Sequence, residues 1–264
     1  MKQKILENLP AECPWRDTLY WFNSIDSTNN EAKRLAQAGA PHGTVLIAGH
    51  QSQGRGRMGR SFASADGMGI YLSVILRPQC TAQALMHLTC AVGVAMCDAI
   101  ELAAGFRPGI KWINDLVAGK KKLGGILTEL SVEPQSGLVQ YAVVGIGINC
   151  DQTPEDFPPE IREIASSVRM HTGHAIRKER LAAAMILALE QMDKRLFCHD
   201  FMAAYRKDCV TLEQPVVVLR SDEKRYGTAL DVDAQGGLIV RFEDGCVQTV
   251  QSGEVSVRGM YGYI

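Results

Sequence analysis

The apolar runs Thr44–Ala48 and Ile70–Leu76 are short and rich in β-branched and aromatic side chains, so both predict buried strands. Thr18–Ile25 predicts another strand, followed by a helix over Glu31–Gln37 with Ser27 or Thr28 as its N-cap. Such a helix start serves as a plain cap, or its hydroxyls and N–H groups hold a polar ligand. In Thr81–Ala104, Leu85, Leu88, Val92, Met96 and Ile100 recur at helical spacing, and Gly105 and Pro108 end the element. Gly109–Val117 reads as one apolar strand carrying Lys111, Asn114 and Asp115, with Gly119 turning the chain. Strands over Lys120–Leu130 and Leu138–Ile148 follow, then helices over Arg177–Phe197 and Asp200–Lys207. Met1–Arg16 is short and mixed.

The texture changes after Leu212. Pro215–Leu219, Tyr226–Asp231, Leu238–Phe242, Val247–Val250 and Val255–Val257 alternate and are split by turn signals. Closely spaced short strands of this kind predict a small antiparallel β-barrel. The expected organisation is a larger α+β domain, residues 1–211, built on a mixed sheet with helices, and a small barrel, residues 212–264. No internal repeat or low-complexity tail is present.

Between the first two strands lie six glycines and three arginines within residues 49–69. That run is too glycine-rich for a stable helix or strand. A long internal loop with guanidinium groups suits an anion, because glycine admits close backbone approach and arginine supplies forked permanent charge. It is not a Walker loop, since no Gly-Lys-Ser/Thr follows. An RNA-binding reading is disfavoured by a formal net charge of -1 and by the absence of interleaved aromatics. The eight cysteines are scattered, with no Cys-x-x-Cys pair, and read as reduced, buried thiols of a cytoplasmic protein. His87 and Asp98 interrupt the most apolar stretch, Cys80–Ile100, so no membrane span is expected. The Gly145–Asn149 segment lacks a following helix, which argues against a dinucleotide fingerprint. His171–His174 reads as a surface turn in preference to a metal site, and no metal-ligating residue is assigned.

Four segments together resemble the biotin–protein ligases, also called biotin–[acetyl-CoA-carboxylase] ligases. They are Asp26-Ser27-Thr28-Asn29, the Gly54–Arg60 loop, Lys111–Leu116 with Lys122–Leu127, and Gly145–Asn149. The C-terminal segment Gly253–Arg258 also fits, so the resemblance spans essentially the whole chain. It implies a catalytic domain like that of class II aminoacyl-tRNA synthetases, followed by a Src-homology-3-like barrel. It further implies that biotin and Mg2+-ATP give biotinyl-5′-adenylate, which passes to a lysine of a biotin carboxyl carrier domain of acetyl-CoA carboxylase or a related carboxylase. By resemblance, Ser27, Thr28, Asn29, Gln51, Arg55, Gly56, Arg57, Lys122 and Gly125 are biotin-binding. Arg57, Arg60, Phe62, Lys111, Asn114, Asn149 and Arg258 are nucleotide-binding, with Glu254 beside Arg258. Lys122, Arg57 and Asp115 are the expected catalytic groups, Asp115 orienting the acceptor lysine.

Ile113 stands where the family usually has proline, which should alter local geometry and remove no reacting group. Some members carry an N-terminal DNA-reading domain; only 25 residues precede Asp26, so none is expected here, nor a specific DNA partner. Lipoate ligases and octanoyltransferases are the nearest rival reading. The Arg-Gly-Arg loop and the terminal strands favour biotin.

Overall fold

The computed structural model describes residues 1–220, 223–252 and 256–259. Helices α1 (Lys2–Asn8), α2 (Thr28–Gln37), α3 (Leu88–Ala104), α4 (Val168–Thr172), α5 (Lys178–Lys194) and α6 (Phe201–Asp208) surround a seven-stranded mixed sheet. Its strands are β1 (Leu19–Phe22), β2 (Thr44–Ala48), β3 (Gly69–Leu76), β4 (Gly109–Lys111), β5 (Asp115–Ala118), β6 (Lys121–Val132) and β7 (Val139–Asn149). They lie in the order β1-β2-β3-β7-β6-β5-β4, and β1–β2 is the parallel pair. Every residue of β2 and β3 is buried. Both faces of these strands are covered, which is why their sequences run continuously apolar and do not alternate.

On one face the sheet supports the main core, in which α3 packs against α5, α6 and β6. By length and composition Gln83–Ala104 could cross a bilayer, yet most of it is buried in this core. Its first turn is a separate 3-10 turn over Gln83–Leu85, and Gly105, at φ 75°, ends α3. On the other face Ala32 and Ala36 of α2 pack on Leu46, Ile75, Tyr141 and Val143. Because strand side chains alternate, the same face continues through Ser73, Gly145 and Gly147 toward the N-terminal end of α2. Ser73 pairs in register with Gly145, and Tyr71 with Gly147. There the face changes from large apolar side chains to serine and glycine, and space opens above the sheet.

The expected single strand over Gly109–Val117 is instead a hairpin. Strands β4 and β5 pair antiparallel with Lys111 opposite Asp115. Trp112 and Ile113 are apolar for another reason, burial in the turn beneath the C-terminal part of the chain. Trp112 donates Nε1–H to the Gly236 carbonyl at 2.9 Å and its backbone N–H to Thr211 Oγ1 at 2.9 Å. Tyr205 OH donates to the Ile113 carbonyl. The Trp112–Ile113 peptide is cis. Helix α1 and the short α4 are elements that the sequence pattern did not single out. Only Ile5 of α1 is buried, so its apolar periodicity is faint.

The C-terminal strands are β8 (Pro215–Arg220), β9 (Glu223–Val232), β10 (Leu238–Phe242), β11 (Val247–Val250) and β12 (Ser256–Gly259). They form an antiparallel sheet ordered β11-β10-β9-β8-β12. The β9–β10 turn docks on α3 and the β4–β5 turn, where a Cβ on Gly236 would lie 2.8 Å from Cys90 Sγ.

Candidate active site

A cavity of about 610 Å3 opens above the serine–glycine part of the sheet. Ser27, Thr28, Asn29 and Gln51 line one end, and the loop contributes Arg55, Gly56, Arg57, Arg60 and Phe62. Lys111, Asn114 and Asp115 come from the β4–β5 hairpin, Lys122 and Gly125 from β6, and Asn149 from the end of β7. The structure thus brings the expected site residues around one space, from segments that are far apart in the chain. Two expected residues fall elsewhere: Glu254 and the side chain of Arg258 lie outside the described residues, although Val257 beside them lines the cavity.

At the α2 end the polar groups are already organised. Ser27 occupies the N-cap position but makes no side-chain cap bond. The capping acceptor is Gln51, whose Oε1 receives the Thr28 N–H at 2.8 Å and lies 3.0 Å from Thr28 Oγ1. A planar amide that turns its oxygen to the helix must turn its NH2 away from it. Asn29 is 4% exposed. Its Nδ2 donates to Leu127 O at 3.3 Å and Glu129 Oε2 at 2.9 Å, and its Oδ1 accepts from Ser73 Oγ at 2.7 Å. Both amide hydrogens are therefore spent on the protein, and Asn29 serves the site as a support.

Two glycines of β7 make room for these side chains. A Cβ on Gly145 would fall 1.9 Å from Asn29 Oδ1, and one on Gly147 would fall 2.8 Å from the Phe62 ring. Phe62 leans edge-on against Tyr71, ring centroids 6.2 Å apart. Burial pushes the Tyr71 phenol up to about 12, so it stays neutral through the physiological range.

The opposite end is cationic. Arg57 Nη1 donates to Asn114 Oδ1 at 2.9 Å, and Nη2 reaches the Ser252 carbonyl of the C-terminal segment. Asn114 Nδ2 donates to Ile126 O at 3.1 Å and Asp115 Oδ1 at 3.2 Å, and Lys122 Nζ meets the same Asp115 oxygen at 2.6 Å. Burial, reinforced by Arg60, lowers the Arg57 guanidinium from its ordinary value, while Asp115 opposes the shift. Arginine nevertheless stays charged. Among the described residues that line the cavity, Asp115 is the one carboxylate beside Arg57, Arg60, Lys111 and Lys122. A partly desolvated excess of positive charge is an anion site.

Arg55 points away from this end. Its Nη1 lies 3.0 Å from Asn30 Oδ1 and 3.1 Å from Glu129 Oε1. The loop itself is tied by Gly56 N–H to Arg60 O at 2.7 Å and Phe62 N–H to Gly54 O at 2.9 Å.

Several contributors escaped the sequence reading. Ser73 is a fully buried serine in an apolar strand, a signal of a buried polar network that passes easily for strand composition. Gly145 and Gly147 belong to a segment that carries the family resemblance, but their role is not legible there: a glycine pair within a strand can mark close approach by another group, here Asn29 and Phe62. The proline-rich segment after β7 is more than a connector: Phe157, Ile161, Ile164 and Ala165 line the cavity. Lys122 N–H donates to Ile164 O and Ser166 N–H to Lys122 O, both at 2.7 Å, so this segment pins the lysine backbone. His171 and His174 stay outside the site, and no group of three or more potential metal ligands occurs among the described residues.

This fold and this cavity define a class. Residues 21–149 match the Biotin/lipoate A/B protein ligase family, and residues 211–258 match the Biotin protein ligase C terminal domain. The chain is 33% identical over 242 residues to the bifunctional ligase/repressor BirA of Bacillus subtilis, covering 90% of this chain and 74% of that protein. It is 34% identical over 237 residues to the biotin–[acetyl-CoA-carboxylase] ligase of Mycobacterium tuberculosis, covering 87% and 85% respectively. The solved biotin protein ligase of Aquifex aeolicus in complex with biotin and ATP superposes with a TM-score of 0.77 at 28% identity, over 91% of this chain and 98% of that one. The chain belongs to the biotin protein ligase family.

Proposed function

We propose that the chain is a biotin–[acetyl-CoA-carboxylase] ligase that joins biotin, at the expense of ATP, to one lysine of a biotin carboxyl carrier domain through biotinyl-5′-adenylate. The observation that carries this reading is the polarity of one cavity. An uncharged end of hydroxyls and an amide (Ser27, Thr28, Gln51) continues into a cationic end (Arg57, Lys111, Lys122) with a single carboxylate. A bicyclic urea with a carboxylate tail matches the first end and points its tail at the second, where a triphosphate would lie.

In the first step a biotin carboxylate oxygen bonds to the α-phosphorus and the bond to the pyrophosphate oxygen breaks. Negative charge spreads over the phosphoryl oxygens, and Arg57 and Lys122 are placed to stabilise it. Phe62 and the Asn149 amide flank the nucleotide in this reading, Lys111 and Asn114 supply further polar contacts, and Gly125 lines the biotin tail. In the second step the carrier lysine amine attacks the acyl carbon, AMP departs, and the amine loses a proton. Asp115, already within bonding reach of one ammonium, orients the incoming one. Asp115 is also the described cavity residue that suits Mg2+ with the phosphates, since Mg2+ commonly takes one or two carboxylates together with substrate oxygens. The ion supplies charge neutralisation when bound. We also read the catalytic part, residues 1–211, as class II synthetase-like, and residues 212–264 as a Src-homology-3-like barrel. A cytoplasmic location accords with the eight free cysteines, although Cys198 and Cys246 are exposed and Cys80 is half-buried where burial was expected.

The test is pyrophosphate release and carrier mass gain with ATP and either biotin or lipoate. Dependence on biotin supports the reading. Turnover with lipoate alone moves the chain to the lipoate branch, and salt-sensitive RNA binding without turnover removes it from the ligases.

The loop supplies a second expectation. Met58 and Arg60 are exposed at its tip, at φ 55° for Met58, while Phe62 and Arg57 are held inward. A closing loop would shield the adenylate from water. Trypsin is expected to cut at Arg55, Arg57 or Arg60 in the free protein and to be slowed about tenfold or more by biotin plus ATP. Equal cutting rates in the two states would count against ligand-controlled order.

A further inference from the structure

We infer that Glu129, which no motif assigned, is a positioning residue: it sets the hydrogen-bonding polarity of the biotin end of the cavity and anchors the first arginine of the loop. This rests on the ligase reading above.

Glu129 lies on β6, on the same face as Gly125 and Leu127, in register with Val143. It does not line the cavity, but two of its partners, Asn29 and Arg55, do. Oε1 meets Lys33 Nζ at 2.9 Å and Arg55 Nη1 at 3.1 Å, while Oε2 accepts from Asn29 Nδ2 at 2.9 Å. Three segments therefore converge on one half-buried carboxylate: the sheet, the first two turns of α2, and the start of the glycine–arginine loop. Burial pushes the Glu129 carboxyl up, but its bonds to Lys33 and Asn29 and the nearby Arg55 charge hold it below the ordinary glutamate value. It is an anion at neutral pH, and a carboxylate anion can only accept hydrogen bonds.

That restriction propagates. Asn29 must turn its NH2 toward Glu129, so its oxygen faces Ser73. An amide oxygen cannot donate, so the single Ser73 hydroxyl hydrogen goes to Asn29 Oδ1 at 2.7 Å. Ser73 Oγ is then an acceptor for Thr28, 2.8 Å away. The Thr28 hydroxyl hydrogen is drawn inward, to Ser73 Oγ or to Gln51 Oε1, and a lone pair is what Thr28 offers outward. Gln51 presents its NH2. The wall is thus set to accept a ligand N–H at Thr28 and to donate to a ligand carbonyl at Gln51, the pattern of a cyclic urea. Leu127 O, 3.3 Å from Asn29 Nδ2, favours the same orientation through a longer bond. A neutral amide at position 129 could present either end to Asn29, and the direction of the chain would then rest on that longer bond alone.

The experiment compares Glu129→Gln with the unmodified protein by calorimetric biotin binding, by KM for biotin and ATP in pyrophosphate exchange, and by thermal unfolding. Glu129→Gln keeps the size and one acceptor but removes the charge. Expected is a rise of about 10- to 100-fold in the biotin Kd and KM, as for loss of charge-assisted bonds. The KM for ATP should stay within about twofold and Tm within a few degrees. Lys33→Gln removes a partner that does not reach the cavity and should change biotin affinity far less. A biotin Kd unchanged by Glu129→Gln overturns the inference while leaving the ligase reading intact. So does a parallel rise in both KM values with a fallen Tm, which is the signature of a merely structural role. No biotin binding by the unmodified protein overturns the ligase reading and the inference together.

Discussion

Replacing Lys122 by alanine is expected to slow pyrophosphate release by about 10²–10³, the usual loss for one preorganised charged donor at a phosphoryl transition state. The position is built for one rigid placement. Its backbone is clamped on both sides by Ile164 O and Ser166 N, and its ammonium rests 2.6 Å from Asp115 Oδ1 beside the Arg57–Asn114 contact. A substrate phosphate would therefore meet an ammonium already held in the cavity. The ion pair is partly exposed, at 29% and 18% for its two side chains, and pairs of that kind contribute little to stability, about 1 kcal/mol or less. The variant should consequently fold and keep its Tm within a few degrees. Transfer from separately supplied biotinyl-adenylate should suffer less, because the phosphoryl step is complete and Asp115 remains to meet the acceptor amine. Lys120→Ala and Lys121→Ala are the controls, since neither lysine lines the cavity. Similar small losses in all three variants would reduce Lys122 to a solvated turn residue.

The triple lysine also shows how far the chain can be read in one dimension. The burial of both faces of the central sheet is written in the unbroken apolar runs of β2 and β3, and Gly105 ends α3 where its φ of 75° demands glycine. The same logic misread Gly109–Val117, because an apolar run signals burial without saying what does the burying. Trp112 and Ile113 are covered by Gly236, Thr211 and Tyr205, about a hundred residues on. The candidate site divides likewise. Side chains that face the cavity announce themselves by type: arginines among glycines, an Asn-Asp pair, a lysine before Gly-Gly. Side chains that hold those groups do not. Ser73 sits in an apolar run, Glu129 in a strand of mixed pattern, and the pinning of Lys122 is purely backbone. Their meaning depends on partners 40 to 100 positions away, and only the register of β3, β6 and β7 brings them together.

Replacing Gly145 by alanine is expected to damage both stability and biotin binding. A glycine-to-alanine change inside an ordinary strand usually stabilises, by roughly 0.5–1 kcal/mol, so the sign of the effect is decisive. Here the added Cβ would fall 1.9 Å from Asn29 Oδ1 and 2.7 Å from its Cγ. The strand cannot retreat, because Gly145 lies between Ser73 of β3 and Leu127 of β6 in the middle of the sheet. Asn29 must give way, and it is fixed by Ser73, Leu127 and Glu129. Overpacking of this kind costs about 1–3 kcal/mol. Each buried polar group left without its partner adds about 1–3 kcal/mol. The expected result is a Tm lowered by about 4 °C or more and biotin affinity reduced at least about 100-fold. Asn29→Ala alone should also weaken binding, by removing one hydrogen-bond partner from Ser73 and one from Glu129. In the double variant the methyl at 145 occupies space the asparagine has vacated. The two destabilisations should then fall short of their sum, and the double variant should be more stable than Gly145→Ala alone, as expected for residues in direct contact. Denaturant midpoints of the four proteins measure this. A neutral or stabilising Gly145→Ala, or strictly additive losses, would mean that Asn29 is not the group for which the glycine makes room.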